Sequence, residues 1–360
     1  MERIKSGLTS ASTLPFVSIV LPIRNEASFI ARSLGSVLAQ DYPSDRCEII
    51  VADGLSTDST REIVNSFRTK YPNLRLIDNS GQIVPTGLNA AIIQARGEII
   101  VRVDGHCEIA SDYVRNCVQH LQSDGVDGVG GPLDTIGETF TARAIATAMS
   151  STFGVGDSAF RTVSDKTMLT DTVAFPAYTR AAVERAGLFD EELVRNQDDE
   201  YNYRLRKIGA KILLASDVRS KYYSRSSLRS LWRQYFQYGY WKVRVMQKHP
   251  RQMSLRQFVP FLFVVSLVMS AALFPFFITG KLVLPLVAGS YLIANAAASI
   301  LIARRKGWRL LLLLPLTFAI LHLAFGSGFL AGLIRFWKRW LNRETRSTYA
   351  TPPAKHFQQV

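Results

Sequence analysis

Three groups of residues in this chain have types and spacings that could do chemistry. The first is Asp104-Gly105-His106, at the end of the apolar run in "VRVDGHCEIASDYV". A carboxylate and an imidazole two positions apart, with a minimal residue between them, can hold one divalent cation. Asp and Gly are also ordinary turn formers after a strand. The second group is Gln197-Asp198-Asp199-Glu200, four consecutive polar residues ahead of an aromatic and basic helical pattern. Acids at a helix N-terminus suit the dipole, and an acid tuned close to working pH makes a useful general base. The third is split between Pro22–Glu26 and Asp53–Asp58, each polar and each just past an apolar run. Any one of these could be a routine turn. Several together, each after a strand, call for a common frame.

That frame can be read from the periodicity. "FVSIVLPIRNE" predicts a strand over Val17 to Leu21, broken at Pro22, and "ASFIARSLGSVLAQ" has apolar residues at helical spacing. The plan repeats with a strand over Glu48 to Ala52, ending at Asp53-Gly54, and a helix opened by the capping residues of "STDSTREIVNSF". "LRLIDN" predicts a third strand. "GLNAAIIQARG" predicts a helix ending at Gly97, and "EIIVRVDG" a fourth strand. Alternation of strand and helix implies an α/β domain with a mostly parallel sheet and helices on both faces. Ligands of such sheets gather at the carboxyl ends of the strands, where the three polar groups fall.

Composition narrows the class. The net charge of +14 suits nucleic acid, anionic lipid or a phosphate-rich substrate. Much of the surplus lies between Arg195 and Arg256 and beside apolar runs, which favours lipid headgroups and phosphates. No helix-turn-helix, zinc-finger or RNA-binding signature is present, so no nucleic-acid partner is expected. Three cysteines, Cys47, Cys107 and Cys117, without paired spacing argue for reduced thiols rather than a disulfide scaffold or zinc site. The start, "MERIKSGLTSAS", lacks an apolar core, so no secretory signal is expected.

Uncharged apolar runs cover 258–279, 282–303 and 310–334, each long enough for the roughly 20 residues that cross a bilayer. The basic flanks "KHPRQMSLRQ" and "RRKGWR" place the N-terminal domain in the cytosol. A third full crossing would put "RFWKRWLNRETR" outside, against the positive-inside tendency. The small residues of "FGSGFLAG" therefore suggest a bent or re-entrant third segment. His322 within it reads as a satisfied packing residue. "SLRSLWRQYFQYGYWKVRVMQKHP" mixes Arg and Lys with Trp and Tyr, as an interfacial amphipathic helix does.

Four stretches, "VSIVLPIRNE", "EIIVADGLSTDST", "GLNAAIIQARGEIIVRVDGH" and "NQDDEYNYRLRKIGAKI", stand in the order found in family 2 glycosyltransferases of the GT-A fold, and the resemblance spans roughly Val17 to Lys242. With the apolar runs behind them, they resemble the membrane-attached, succinoglycan-biosynthesis ExoA type. The resemblance implies that Pro22, Arg24, Asn25 and Glu26 line a nucleotide slot, that Asp53 hydrogen-bonds uracil, and that Gly54 lets the backbone come close. Asn89, Arg96 and Gly97 are weaker members of the same set. Asp104 and His106 would bind the metal, with His106 standing where the family usually has a second Asp. Imidazole suits Mn²⁺ better than Mg²⁺. Asp198 becomes the candidate base and Asp199 the fallback; Gln197 replaces the usual preceding acid, and Asp199 and Glu200 would keep negative charge beside the base. Arg225, Arg233, Tyr238 and Trp241 are candidates to seat acceptor or donor phosphates. "VGGPLDT" resembles the acceptor-side strand and loop. The Gly/Ser-rich "SSTFGVGDSAFR" reads as a flexible cover or a passive loop. No Gln-x-x-Arg-Trp motif is present, which points to one sugar per binding event.

The expected organisation is an N-terminal extension (1–15), a GT-A domain (16–226), an interfacial segment (227–257), a transmembrane region (258–334) and a basic tail (335–360). The expected activity is inverting transfer of one sugar from a UDP-sugar, with UDP-glucose favoured, to a polyprenyl-diphosphate-linked saccharide in surface-glycan synthesis. The site would face the cytosol at a bacterial-type inner membrane, with other polysaccharide-assembly proteins as further partners. The alternatives are a polyprenyl-phosphate sugar synthase and a non-catalytic scaffold or transporter.

Overall fold

The computed structural model describes residues 14–340. Its centre is a parallel core of β1 (Val17–Ile23), β2 (Cys47–Asp53), β3 (Leu74–Asp78) and β4 (Ile99–Arg102). Every residue of β1, β2 and β4 is buried. Sheets covered on both faces require such continuous apolar runs. The connections are α1 (Ile30–Leu38), α2 (Thr60–Arg68) and α3 (Val84–Gln94).

Beyond β4 the chain forms β5 (Cys107–Ile109), α4 (Tyr113–Ser123), β6 (Gly128–Gly131) and β7 (Leu133–Ile136). Next come α5 (Phe140–Met149), α6 (Thr152–Val155), α7 (Ala159–Thr162), β8 (Met168–Leu169) and β9 (Ala174–Thr179). The domain closes with α8 (Arg180–Ala186), α9 (Gln197–Lys207), β10 (Ile212–Leu214) and β11 (Ser220–Tyr223). The large sheet has the order β3-β2-β1-β4-β9-β6-β10-β8, and a small one the order β5-β11-β7. β9 is antiparallel to both its neighbours. Separate apolar clusters cover the two faces of the large sheet, as the strand–helix alternation implies.

Three local expectations need correction. β1 continues through Pro22, because its pairing with β4 ends at Val20 and the missing N–H falls where one edge is already free. α3 ends at Gln94, and Gly97 is not its cap; a Cβ there would stand 2.4 Å from the Ser18 backbone nitrogen, so the glycine permits close approach to β1. The segment around Ser150–Arg161 is not one open loop but carries two single-turn helices, α6 and α7.

The C-terminal part consists of α10 (Leu228–Lys248), α11 (Val259–Leu273), α12 (Ile278–Lys306) and α13 (Leu314–Phe336). Three helical stretches, Leu255–Leu273, Ile278–Lys306 and Leu314–Trp340, are long and apolar enough to cross a membrane. α13 is one continuous helix through "FGSGFLAG", not broken there. Its small residues serve packing instead: Cβ atoms on Gly326 and Gly328 would stand 2.2 Å from Pro260 O and 2.0 Å from Phe236 O. The start of α13 and the residues just after its end both touch the α/β domain, the latter through Arg339 and Glu192. Near its start Phe318 meets Phe153, and the His322 ring accepts from Tyr291 and donates through Nε2 to Phe153 O (2.9 Å). His322 is thus a satisfied packing residue. At the other end Gln247 donates to Phe336 O. The helix lies along the domain rather than leaving it. The N-terminal extension up to residue 13 and the tail beyond 340 lie outside the described residues.

Candidate active site

The carboxyl ends of β1 and β4, the loop before α9 and one face of α10 enclose a cavity of about 450 Å³. Pro22, Arg24, Asn25 and Glu26 line one part of it, and Asp104 and His106 another. Asp198, Arg225 and Tyr238 complete the expected residues in its wall. Asp104, His106 and the candidate base Asp198 therefore share one space, although the first two lie almost a hundred residues from the third in the chain.

Backbone geometry supports a built site. Five non-glycine residues among those described have φ in the left-handed region, and four of them, Asn25, Gln82, Phe175 and Asn196, line this cavity. Such conformations persist where the surroundings enforce them, and they cluster at functional sites. Asn25 is tied by the Ser56 hydroxyl, which accepts from its backbone N–H (2.9 Å), and by the Thr57 N–H, which donates to its Oδ1 (2.8 Å). Asn196, at φ 61°, precedes α9 and donates to Tyr238 O (2.9 Å), which fixes the position of Asp198 two residues later.

Asp104 receives both arms of the Arg102 guanidinium, at 2.9 and 3.1 Å. Burial alone would raise the Asp104 pKa, but Arg102 outweighs it and holds the group below the ordinary carboxylate range. Burial would likewise lower Arg102, yet Asp104 and then Asp198 keep it charged, so one guanidinium sits in the field of both acids. His106 Nδ1 lies 3.0 Å from Glu26 Oε1. Burial disfavours its charge, but the Glu26 hydrogen bond prevails and pushes the ring up to about 9. Tyr222 packs edge-on against His106, with ring centroids 5.3 Å apart. Burial would raise its hydroxyl, but His106, Arg225 and Arg161 together bring it below the usual tyrosine value.

Among the described residues no group of three or more His, Cys, Asp or Glu converges as a metal cluster. A divalent ion at Asp104 and His106, completed by substrate phosphates and water, would have to displace the proton that Glu26 favours on the ring and share Asp104 with Arg102. The Glu26 contact to one ring nitrogen is the carboxylate–imidazole arrangement that orients a metal-binding histidine.

Several expected residues lie elsewhere. Asp53 is fully buried outside the cavity lining; its oxygens take Ser56 N–H and Arg61, the latter at 2.8 Å. It shapes the loop that holds Asn25. Gly54 packs on Arg24, where a Cβ would meet that side chain at 3.2 Å. Asn89 is buried and spent on Phe189 and Glu191, bracing α3 against the loop after α8. Arg96 precedes β4 and so sits at the amino end of the sheet, away from the cavity, paired with Glu48 (3.2 Å). Asp199 forms an ion pair with Lys242 of α10. Glu200 is buried between Arg204 (2.7 Å) and His249 (3.0 Å). Their charges are taken up by these partners instead of standing beside Asp198. Arg233 and Trp241 line a separate groove on another face of α10.

Sequence reasoning missed Arg102, Arg161, Arg195, Tyr222 and Gln234, all in the wall. Arg102 was detectable as a charge inside an apolar strand next to Asp104. The others come from elements whose tertiary placement carries no local pattern.

The loop bearing Asp198 is also laced to α10. Arg195 donates to Gln237 (3.1 Å), and Glu192 accepts from Arg244 (2.8 Å) and Lys248 (2.8 Å). Asp190 pairs with Lys248, and Arg339 after α13 also reaches Glu192.

Comparison with known proteins now decides the class. Residues 18–188 match the family model described as glycosyl transferase family 2. The succinoglycan biosynthesis protein ExoA of Rhizobium meliloti is 32% identical over 262 residues, covering 70% of this chain and 76% of that protein. The chain belongs to glycosyl transferase family 2. Such a glycosyltransferase has a further relative in Methanococcus voltae, named as a dolichyl N-acetyl-α-D-glucosaminyl phosphate 3-β-D-2,3-diacetamido-2,3-dideoxy-β-D-glucuronosyltransferase. It is 28% identical over 89% of this chain and 98% of that one. The solved structure of the mannosyltransferase PcManGT from Pyrobaculum calidifontis, in complex with GDP-Man and Mn2+, has a TM-score of 0.57. It is 21% identical over 91% of both chains and shows the same fold.

Proposed function

We propose that this glycosyltransferase moves one sugar from a UDP-sugar, with UDP-glucose the first donor to test, onto a polyprenyl-diphosphate-linked saccharide, with inversion at the anomeric carbon. The observation that carries the proposal is the shared cavity: Asp198 and the Asp104–His106 pair line one space large enough for a sugar and its diphosphate. In this reading Pro22, Arg24 and Asn25 hold the nucleotide. Asp198 takes the proton from the acceptor hydroxyl, and that oxygen attacks the anomeric carbon as the diphosphate departs. Asp104 and His106 would hold a divalent cation, Mn²⁺ or Mg²⁺, which when bound supplies charge neutralisation to the leaving diphosphate. Arg102 keeps Asp104 ionised throughout. The lipid-linked acceptor is supported by the dolichyl-phosphate-linked sugar that the Methanococcus voltae relative is named for and by the long apolar helices beside the site.

The same reading puts the catalytic domain on the cytosolic face of an inner membrane. α11 and α12 make the crossing as a hairpin. α13 stays along the domain, so the basic residues after it remain on the cytosolic side, which removes the conflict with the positive-inside tendency.

The test is release of UDP from a panel of UDP-sugars by the full chain in lipid, with and without a lipid extract and Mn²⁺. Stimulation by the extract with one donor supports the proposal, and a product stable to mild acid marks a glycoside rather than a sugar phosphate. No donor turned over under any of these conditions refutes it.

A further inference from the structure

One corner of the cavity is richer in positive charge than a donor slot requires. Arg161 from α7, Arg195 from the loop before α9 and Arg225 after β11 all line it. None of the three has a carboxylate within ion-pair distance among the described residues. Among the described residues Arg161 donates to Thr135 and lies over the Phe160 and Tyr222 rings, and Arg195 is held by the amide oxygen of Gln237. Gln234, itself 6% exposed, reaches into the same corner; its Nε2 donates to Tyr238 Oη (2.8 Å), and its Oε1 is buried without a partner. The buried, unsatisfied amide oxygen is costly unless a ligand or water meets it, and the three half-buried guanidinium groups beside it are placed to meet an anion.

The Arg195–Gln237 contact leads out of this corner. Gln237 also lines the groove on the outer face of α10, whose walls include Arg229, Trp232, Phe236 and Trp241. That groove has a volume of about 470 Å³ and an apolar, aromatic surface. Arg229 and Arg233 flank it, again without carboxylate partners among the described residues. α10 runs beside α13, with the backbone of Phe236 against Gly328, so the groove opens next to the apolar helices. Trp and Arg together are the side chains favoured where a membrane surface meets water.

A cationic corner bordered by an apolar groove fits an amphiphile with an anionic head. We propose that the Arg161–Arg195–Arg225 corner binds the phosphate or diphosphate of the lipid-borne acceptor, and that the lipid chain leaves along the aromatic face of α10 past Trp232, Phe236 and Trp241. This assigns a binding path to the acceptor of the reaction proposed above, and it rests on that reaction.

The test is a binding measurement that needs no turnover. The full chain is placed in nanodiscs of zwitterionic phospholipid and titrated with a polyprenyl diphosphate carrying bromine on its chain near the head. Bromine quenches nearby tryptophan, so Trp232 and Trp241 report on the groove. The path predicts saturable quenching that is displaced by inorganic pyrophosphate and largely lost in the Trp232→Phe/Trp241→Phe double variant. It also predicts at least tenfold weaker binding in Arg161→Gln/Arg225→Gln. The same brominated chain with an alcohol head should not saturate. Three results would overturn the path: equal quenching by the alcohol, quenching that survives the tryptophan replacements, or quenching by brominated bulk phospholipid that pyrophosphate cannot displace. Pyrophosphate displacement on the unmodified chain decides the matter even if the arginine variant misfolds. A chain that binds the lipid in this way but never turns over a sugar nucleotide would sink the transfer reaction and leave the lipid site standing.

Discussion

Gly328 offers a way to move the candidate base without touching it. A Cβ on Gly328 would stand 2.0 Å from Phe236 O, where ordinary contact starts near 3.4 Å. In Gly328→Ala, α10 and α13 must therefore part by about 1.4 Å at that point or distort equivalently. Overpacking of this kind costs about 1–3 kcal/mol. The larger consequence is positional. α10 carries Tyr238, whose carbonyl holds Asn196, and Lys242, which holds Asp199, so its displacement drags the chain on both sides of Asp198. A shift on the order of 1 Å in a catalytic group can cost roughly a hundredfold in rate. The proposed nucleotide slot stands at the end of β1, which α10 does not carry. Gly328→Ala is thus expected to lower kcat by about 10- to 100-fold, with donor affinity unchanged within about twofold. Calorimetry of donor binding and steady-state transfer, both on the full chain in nanodiscs, measure the two quantities. Gly289→Ala, on α12 with open space around the added methyl, is the matched control. Wild-type kcat in Gly328→Ala, or equal loss of donor binding and turnover, would refute the coupling between α13 and the base.

Two other outcomes follow from the same contacts. Glu192 is desolvated, yet Arg244 and Lys248 outweigh burial and bring its pKa from 4.5 to about 2. Its stabilising contribution is complete above 4.5 and is lost as pH falls through about 2; Glu192→Gln should flatten the fall in melting temperature across that window, and an unchanged acid limb would contradict the assignment. Cys47, Cys107 and Cys117 are all buried, and burial pushes their thiols up, Cys47 to about 12. The native chain should resist alkylation at pH 8 and label fully in denaturant, as mass spectrometry would show; rapid labelling of the native chain would contradict the packing.

How much was legible in the sequence depended on whether the signal was local. The strand–helix alternation could be read because buried parallel strands are mostly apolar, and β1, β2 and β4 are, apart from Ser18, Glu48, Asp53 and Arg102. Asp104, His106 and Asp198 were legible because they lie at strand or helix ends, where a domain of this kind gathers its ligands. Asp53, Asn89 and Arg96 fell outside the cavity because their partners, Arg61, Glu191 and Glu48, are set by tertiary contacts that motif spacing does not encode. The small residues of α13 are ambiguous for the same reason: glycine permits a bend and permits close packing alike, and the neighbour decides. Arg161, Arg195 and Gln234 come from three distant segments, and nothing in any one of them marks the other two.

The central claim is that Asp198 works on a substrate held at Asp104 and His106. Asp198→Asn tests it most directly, because it keeps shape and removes the base. Donor binding by the full chain, measured by calorimetry with Mn²⁺ present, should stay within a few-fold of wild type while sugar transfer to the lipid extract becomes undetectable. Transfer at near wild-type rate would contradict it.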